Sequence, residues 1–234
     1  MKIEKQTLIQ WIKRIITYLL GLFTIACGVS VAVKSSLGVS PATSVPSVLS
    51  IKFPSLTLGT WTTIVYCGLV LVQLAILGKR FKWYYVFQFA VSYLFGLFVD
   101  AAGWLSQFCV PDVSHYALRW VYTLISMFLI ALGVTLYLSA NIMSMPVEGT
   151  AVAVSIRTNK PVSSCKMVVD MTLAAIAVAC SLLFFHGLQG VREGTMVCSF
   201  GIGFMMKPIN KVIKKPLHNF LYGKPKTQEI DEQV

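Results

Sequence analysis

Apolar runs of about twenty residues, the length a bilayer core requires of a helix, occur six times in this chain: roughly 15–34, 58–78, 83–105, 117–140, 165–186 and 194–213. With 56% hydrophobic and only 12% charged residues over 234 positions, too little polar surface remains to keep such a chain in water. The expectation is an all-α integral membrane protein with six transmembrane helices. The first run is too long for a signal-peptide core and lacks an A-x-A-like end, so it is expected to remain as the first span.

Charge then sets topology. The net charge of +11 does not point to nucleic acid, because the twenty Lys and Arg residues cluster at the ends of the apolar runs rather than on one face. If the N-terminus is cytoplasmic, sixteen of the twenty fall on that side, leaving Lys34, Lys52, Arg119 and Arg192 for the other. The positive-inside rule therefore places both termini in the cytoplasm.

Within this frame the chain repeats itself. Gly28 to Pro41, GVSVAVKSSLGVSP, returns 105 residues later as GVTLYLSANIMSMP, Gly133 to Pro146, so that Gly28 falls on Gly133, Val29 on Val134, Ser36 on Asn141 and Pro41 on Pro146. Each copy is an apolar helix, a polar break, then a proline that suits the first turn of a second, short helix. Three spans per half is an odd number, so the second copy enters the membrane upside down. The organisation expected is a 3+3 inverted repeat: a basic lead-in at 1–14, repeats at 15–105 and 117–214 joined by an external linker at 106–116, and a cytoplasmic tail at 215–234. From Lys207 the chain is polybasic, then acidic, which reads as disordered; contact with anionic lipid fits it too.

The breaks are the candidate site. Backbone freed from its helix survives at membrane depth only inside protein or beside water. Ser36, Gly38, Ser40 and Pro41 mark the first break, with Ser40 as the N-cap of a helix over 41–51 whose positive end an anion could approach. Asn141, Ser144, Pro146 and Glu148 mark the second. An ordinary surface loop with a capped helix fits the same signals, since a cap does not report depth. Glu148, in the first turn of its helix, serves either helix stabilisation or a ligand. Asp170 lies about five residues into the fifth run; it either faces the bundle interior or pairs with Lys166 one turn earlier. Asp100 ends the third run as a solvated helix end or a functional acid, and Arg192 with Glu193 reads as an exposed pair.

Small residues at helical spacing, Gly21, Gly28 and Ala32 in the first run and Gly194, Cys198, Gly201 and Gly203 in the last, read as helix-packing faces. Five of the six cysteines lie in or at the edge of apolar runs, no C-x-x-C occurs, and the three histidines are far apart, so neither a disulfide framework nor a structural metal is expected, and no cofactor.

At the breaks the sequence resembles the YczE/YyaS/YitT-type bacterial membrane proteins, whose halves carry an L-G-x-G/S-P-like segment before a short helix. The residues that carry the likeness are Leu37, Gly38, Ser40 and Pro41, then Pro146, Glu148 and Gly149, with Asp170 at an acidic position and Gly194–Thr195 before the last helix. The resemblance spans about 15–214 and implies a six-span protein of the bacterial cytoplasmic membrane; Met143 and Met145 stand where a glycine-rich turn is expected. It implies no substrate.

Together these readings favour a small-molecule transporter or exporter with its site at the paired breaks. With no ATP-binding motif, energy would come from an ion gradient, a partner or downhill flow. A substrate-capture subunit docking a partner through its first helix, or a membrane scaffold or regulator without a ligand, are the alternatives. An enzyme is not expected: there is no H-E-x-x-H, and Gly38 to Ala42 lacks the closing glycine of a nucleophile elbow. The expected partners are the lipid bilayer and an unknown small molecule, with a homo-oligomer or a partner subunit left open.

Overall fold

The computed structural model describes residues 2–111 and 115–222. These form eight α-helices: α1 (Lys2–Ser35), α2 (Pro41–Lys52), α3 (Leu58–Leu77), α4 (Phe87–Cys109), α5 (Tyr116–Ala140), α6 (Pro146–Thr158), α7 (Val162–Phe185) and α8 (Glu193–Tyr222). Two short 3-10 turns, Gly78–Arg80 and Trp83–Val86, join α3 to α4, and no strand occurs among the described residues.

Five helical segments are long and apolar enough to cross a membrane: Leu8–Ser35, Leu58–Arg80, Trp83–Cys109, Tyr116–Ala140 and Val162–Phe185. They mark the chain as a helical membrane protein. The sixth expected run does not join them. In α8 the uncharged stretch from Gly194 ends at Met206, and Lys207, Lys211, Lys214 and Lys215 follow, with Pro208 and Pro216 inside the helix. The apolar part is thus shorter than the roughly twenty residues a bilayer core asks for. Residues 207–222, read as the start of a disordered tail, continue as helix; 223–234 lie outside the described residues.

The boundaries of the first two helices recur at the spacing of the sequence repeat. α1 ends at Ser35 and α5 at Ala140; α2 begins at Pro41 and α6 at Pro146. Each first helix stops because the next residue is left-handed, Ser36 at φ 55° and Asn141 at φ 48°. Each short helix then starts from an extended residue, Ser40 (φ −60°, ψ 152°) or Met145 (φ −66°, ψ 157°), followed by proline, whose fixed φ suits a first turn.

Packing repeats as well. α1 and α5 form the central pair and run antiparallel, with glycines letting the backbones approach. A Cβ on Gly28 would lie 2.7 Å from Ile130 Cγ1 and 3.0 Å from Ser126 O; one on Gly133 would lie 2.6 Å from both Ile25 Cγ1 and Gly21 O. Displaced by the repeat spacing, Gly28, Ile25 and Gly21 become Gly133, Ile130 and Ser126, so the contact is the same one made in both directions. Around this pair, α4 lies on α1 as α8 lies on α5, and α2 meets α7 as α6 meets α3.

One pair breaks the pattern. α3 and α4 pack closely through Gly59 and Gly96, where a Cβ on either would run into the other helix. Asp100 closes this contact, its carboxylate accepting from Gly59 N–H at 2.8 Å and from the Thr57 hydroxyl at 2.6 Å; it caps α3 rather than ending α4 in solvent. The corresponding helices α7 and α8 hardly touch.

Candidate functional site

The gap between α7 and α8 opens into a cavity of about 240 Å³ at the centre of the fold. Its floor is the start of both short helices: Ser40 to Thr43 from α2, and Met145, Val147 and Glu148 from α6. α1 and α5 give Ile25, Val29, Ile130 and Val134; α3 gives Tyr66; α7 gives Ser163, Lys166, Met167, Asp170 and Met171; α8 gives Cys198 to Gly203 in part and Met206. Six pairs of lining positions stand one repeat apart: Ile25 with Ile130, Val29 with Val134, Ser40 with Met145, Ala42 with Val147, Thr43 with Glu148, and Tyr66 with Met171. The two halves therefore contribute matching positions to one space.

The charges do not match. Lys166 Nζ lies 3.0 Å from Glu148 Oε1 and 3.6 Å from Asp170 Oδ2, an ammonium shared by two carboxylates. All three positions belong to the second half, and the first-half counterpart of Glu148 is the neutral Thr43. Both sequence readings of Asp170 hold at once, because it lines the cavity and pairs with Lys166. Its second oxygen, Oδ1, is buried without a hydrogen-bond partner.

Ser40 occupies the N-cap position but does not cap the helix with its side chain; its Oγ lies 3.0 Å from Thr43 Oγ1, and the Thr43 N–H donates to Ser40 O at 3.0 Å. On the other short helix, buried Gln73 donates from Nε2 to Pro146 O at 3.0 Å and to Gln88 Oε1 at 2.9 Å, tying the start of α6 to α3 and α4.

Of the residues singled out from sequence, Ser40, Pro41, Glu148 and Asp170 line this cavity. Ser36 and Gly38 instead line a separate cavity of about 230 Å³, with Ser47, Gln189 and Arg192. Arg192 does not serve the expected pair with Glu193; its Nη1 donates to Ser36 O at 3.3 Å. Asn141, Ser144 and Pro146 line neither cavity. Asn141 is exposed, and its carbonyl accepts from Arg14 Nη2 at 2.6 Å while Ala140 O accepts from Arg14 Nε at 2.9 Å. Polarity at a break therefore does not by itself place a residue at the cavity.

Sequence reasoning missed Thr43 and Tyr66 and treated Lys166 only as a partner for Asp170. Thr43 carried a usable signal, standing one repeat before Glu148. The cavity wall from α8 carried none, because it depends on where that helix lies against α5. Among the described residues no group of three His, Cys, Asp or Glu is arranged to hold a metal ion.

The model of a family of unknown function, DUF6198, matches residues 12–211, and the chain belongs to that family. No curated protein and no solved structure matches it.

Proposed function

We propose that this member of the DUF6198 family is a small-molecule transporter or exporter of the bacterial cytoplasmic membrane, built as a six-span 3+3 inverted repeat around a site between its two helix breaks. The observation that carries this reading is the single cavity lined by matching positions from both halves, with the start of each short helix on its floor. Broken helices meeting at the interface of inverted repeats are a recurring way to build a transport site. The antiparallel α1–α5 contact supports the inversion, since it repeats itself when read from either half. Here α8 is the sixth span: 30 residues make a helix of about 45 Å, long enough to cross with its lysine-rich end reaching the cytoplasmic surface. Both termini are then cytoplasmic, and kinship with the YczE/YyaS/YitT-type proteins fits the same plan.

Capture of substrate for a partner draws less support. The small-residue face of α1 that would dock such a partner is already occupied inside the chain, where Gly21 and Gly28 meet α5 and Ala32 is buried. Absence of an enzymatic role remains part of the proposal.

Topology has a direct test. In a background lacking the six cysteines, Ser36→Cys and Asn141→Cys, both at exposed positions, are expected to label from opposite faces of the membrane. Labelling from the same face would end the inverted-repeat account.

Function is tested by thermal-shift screening of the purified protein against small metabolites, because a ligand that binds only the folded state must stabilise it. The expected result is a hit that shifts the melting temperature by several degrees and is lost in Asp170→Asn and Glu148→Gln. Hits indifferent to both variants would remove the cavity from the mechanism, and a broad screen without hits would favour a scaffold.

A further inference from the structure

We infer that the central cavity selects a monovalent organic cation with an apolar body, an inference that rests on reading this cavity as the transport site. Three features of its lining lead there. The first is charge: Glu148 and Asp170 place two carboxylates on the wall and Lys166 supplies one ammonium, so the ionised cluster has one negative charge in excess. The buried Asp170 Oδ1 has no partner, and low-dielectric surroundings strengthen its attraction for a cation.

The second feature is the rest of the wall. Met145, Met167, Met171 and Met206 offer soft, adaptable surface, while Tyr66 and Phe200 offer aromatic rings. Tyr66 is only 2% exposed, stacks on Phe95 with centroids 5.7 Å apart, and its hydroxyl joins none of the hydrogen bonds among the described residues. A cation of low charge density suits such a lining better than a strongly hydrated metal ion, which would demand more oxygen ligands.

The third feature removes the strongest rival. Two helix N-termini face the cavity and would each favour an anion. Both helices begin with proline, however, which has no N–H to donate; the Thr43 N–H is already bonded to Ser40 O, and the Gly149 N–H to Met145 O. On α6 the helix end is also answered by its own Glu148, in the first turn. Few donors remain for an anion, and two carboxylates would oppose it. The cavity reaches the outside between α7 and α8, where the exposed Met167 and Phe200 stand on its rim, so an amphipathic cation can approach from within the bilayer.

The test uses the full chain in lipid nanodiscs and titration calorimetry with benzyltrimethylammonium, against benzylsulfonate as the anion of similar shape. The cation is expected to bind and the anion not. Asp170→Asn should weaken cation binding at least tenfold and Glu148→Gln several-fold, whereas Lys166→Gln, which removes the internal competitor, should tighten it several-fold. A merely structural role for the cluster would make all three variants weaker. Lys79→Gln, an exposed cation remote from the cavity, controls for the loss of positive charge elsewhere. Preferential binding of benzylsulfonate, or Asp170→Asn and Lys166→Gln shifting affinity in the same direction, would overturn the inference. Binding of neither probe by a protein that still gives cavity-dependent hits in the thermal-shift screen would overturn the cation assignment and leave the transport reading standing; loss of those hits as well would remove both.

Discussion

Gly133→Leu is expected to destabilise the protein by about 3 kcal/mol or more, lowering its melting temperature in detergent by roughly 10 °C or preventing its accumulation as a folded monodisperse species. The reason lies in what a side chain there would meet. Its Cβ alone would stand 2.6 Å from Gly21 O, 2.6 Å from Ile25 Cγ1 and 2.8 Å from Ile25 N, and two of these are backbone atoms of an intact helix that cannot turn aside. Relief requires α1 and α5 to separate, which would disturb the pair on which α4 and α8 pack. Gly28→Leu should act in the same direction through Ile130 and Ser126. Gly68→Leu provides the contrast: nothing lies within 4 Å of a Cβ there, so removing a helical glycine should cost nothing and gain up to about 1 kcal/mol. Equal losses at Gly68 and Gly133 would show that the glycines matter for helix propensity rather than close approach.

The ends of the first two helices of each copy were legible in the sequence. A left-handed residue followed by a proline punctuates a helix strongly enough to be read from one chain, and it occurs twice at one spacing. Helix ends are local events, so Ser36, Pro41, Asn141 and Pro146 announced them. The meeting of Ser40, Thr43, Tyr66, Glu148 and Asp170 is a tertiary event, and nothing local distinguishes Tyr66 from any other aromatic in an apolar helix. Asn141 and Ser144 stand at the chain reversal and do not line the cavity, because polarity there marks the reversal and not the direction of the cavity. The run read at 194–213 is part of a longer helix, Glu193–Tyr222, whose first part lines the cavity and whose end packs its Tyr222 hydroxyl against Ser139 O and Ala140 O.

The two breaks begin and end alike but differ between, and Gly38 makes the difference measurable. Gly38→Ala is expected to cost about 3 kcal/mol or more, because φ 108° lies outside the range an L side chain adopts and strain of this kind costs roughly 1–3 kcal/mol by itself. The new Cβ would also meet Arg192 N at 2.9 Å and crowd the Thr195 hydroxyl. Those neighbours are there because the first break is joined to the start of α8: Gly194 N–H donates to Leu37 O at 2.9 Å, and a Cβ on Gly194 would sit 2.6 Å from that same oxygen. Leu37–Gly38 and Gly194–Thr195, far apart in sequence, are thus two sides of one contact. Met143, at the corresponding place in the second break, has no left-handed φ, and Met143→Ala should cost about 1 kcal/mol or less. Thermal unfolding of the two variants in the same detergent decides the matter. A further readout separates strain from simple loss of stability: loosening the Gly38 contact frees the end of α8 that leads into Cys198 to Met206, so ligand binding in the cavity should weaken in Gly38→Ala even at temperatures where the variant is fully folded. Unchanged binding would mean that the first break supports the fold without positioning the cavity wall.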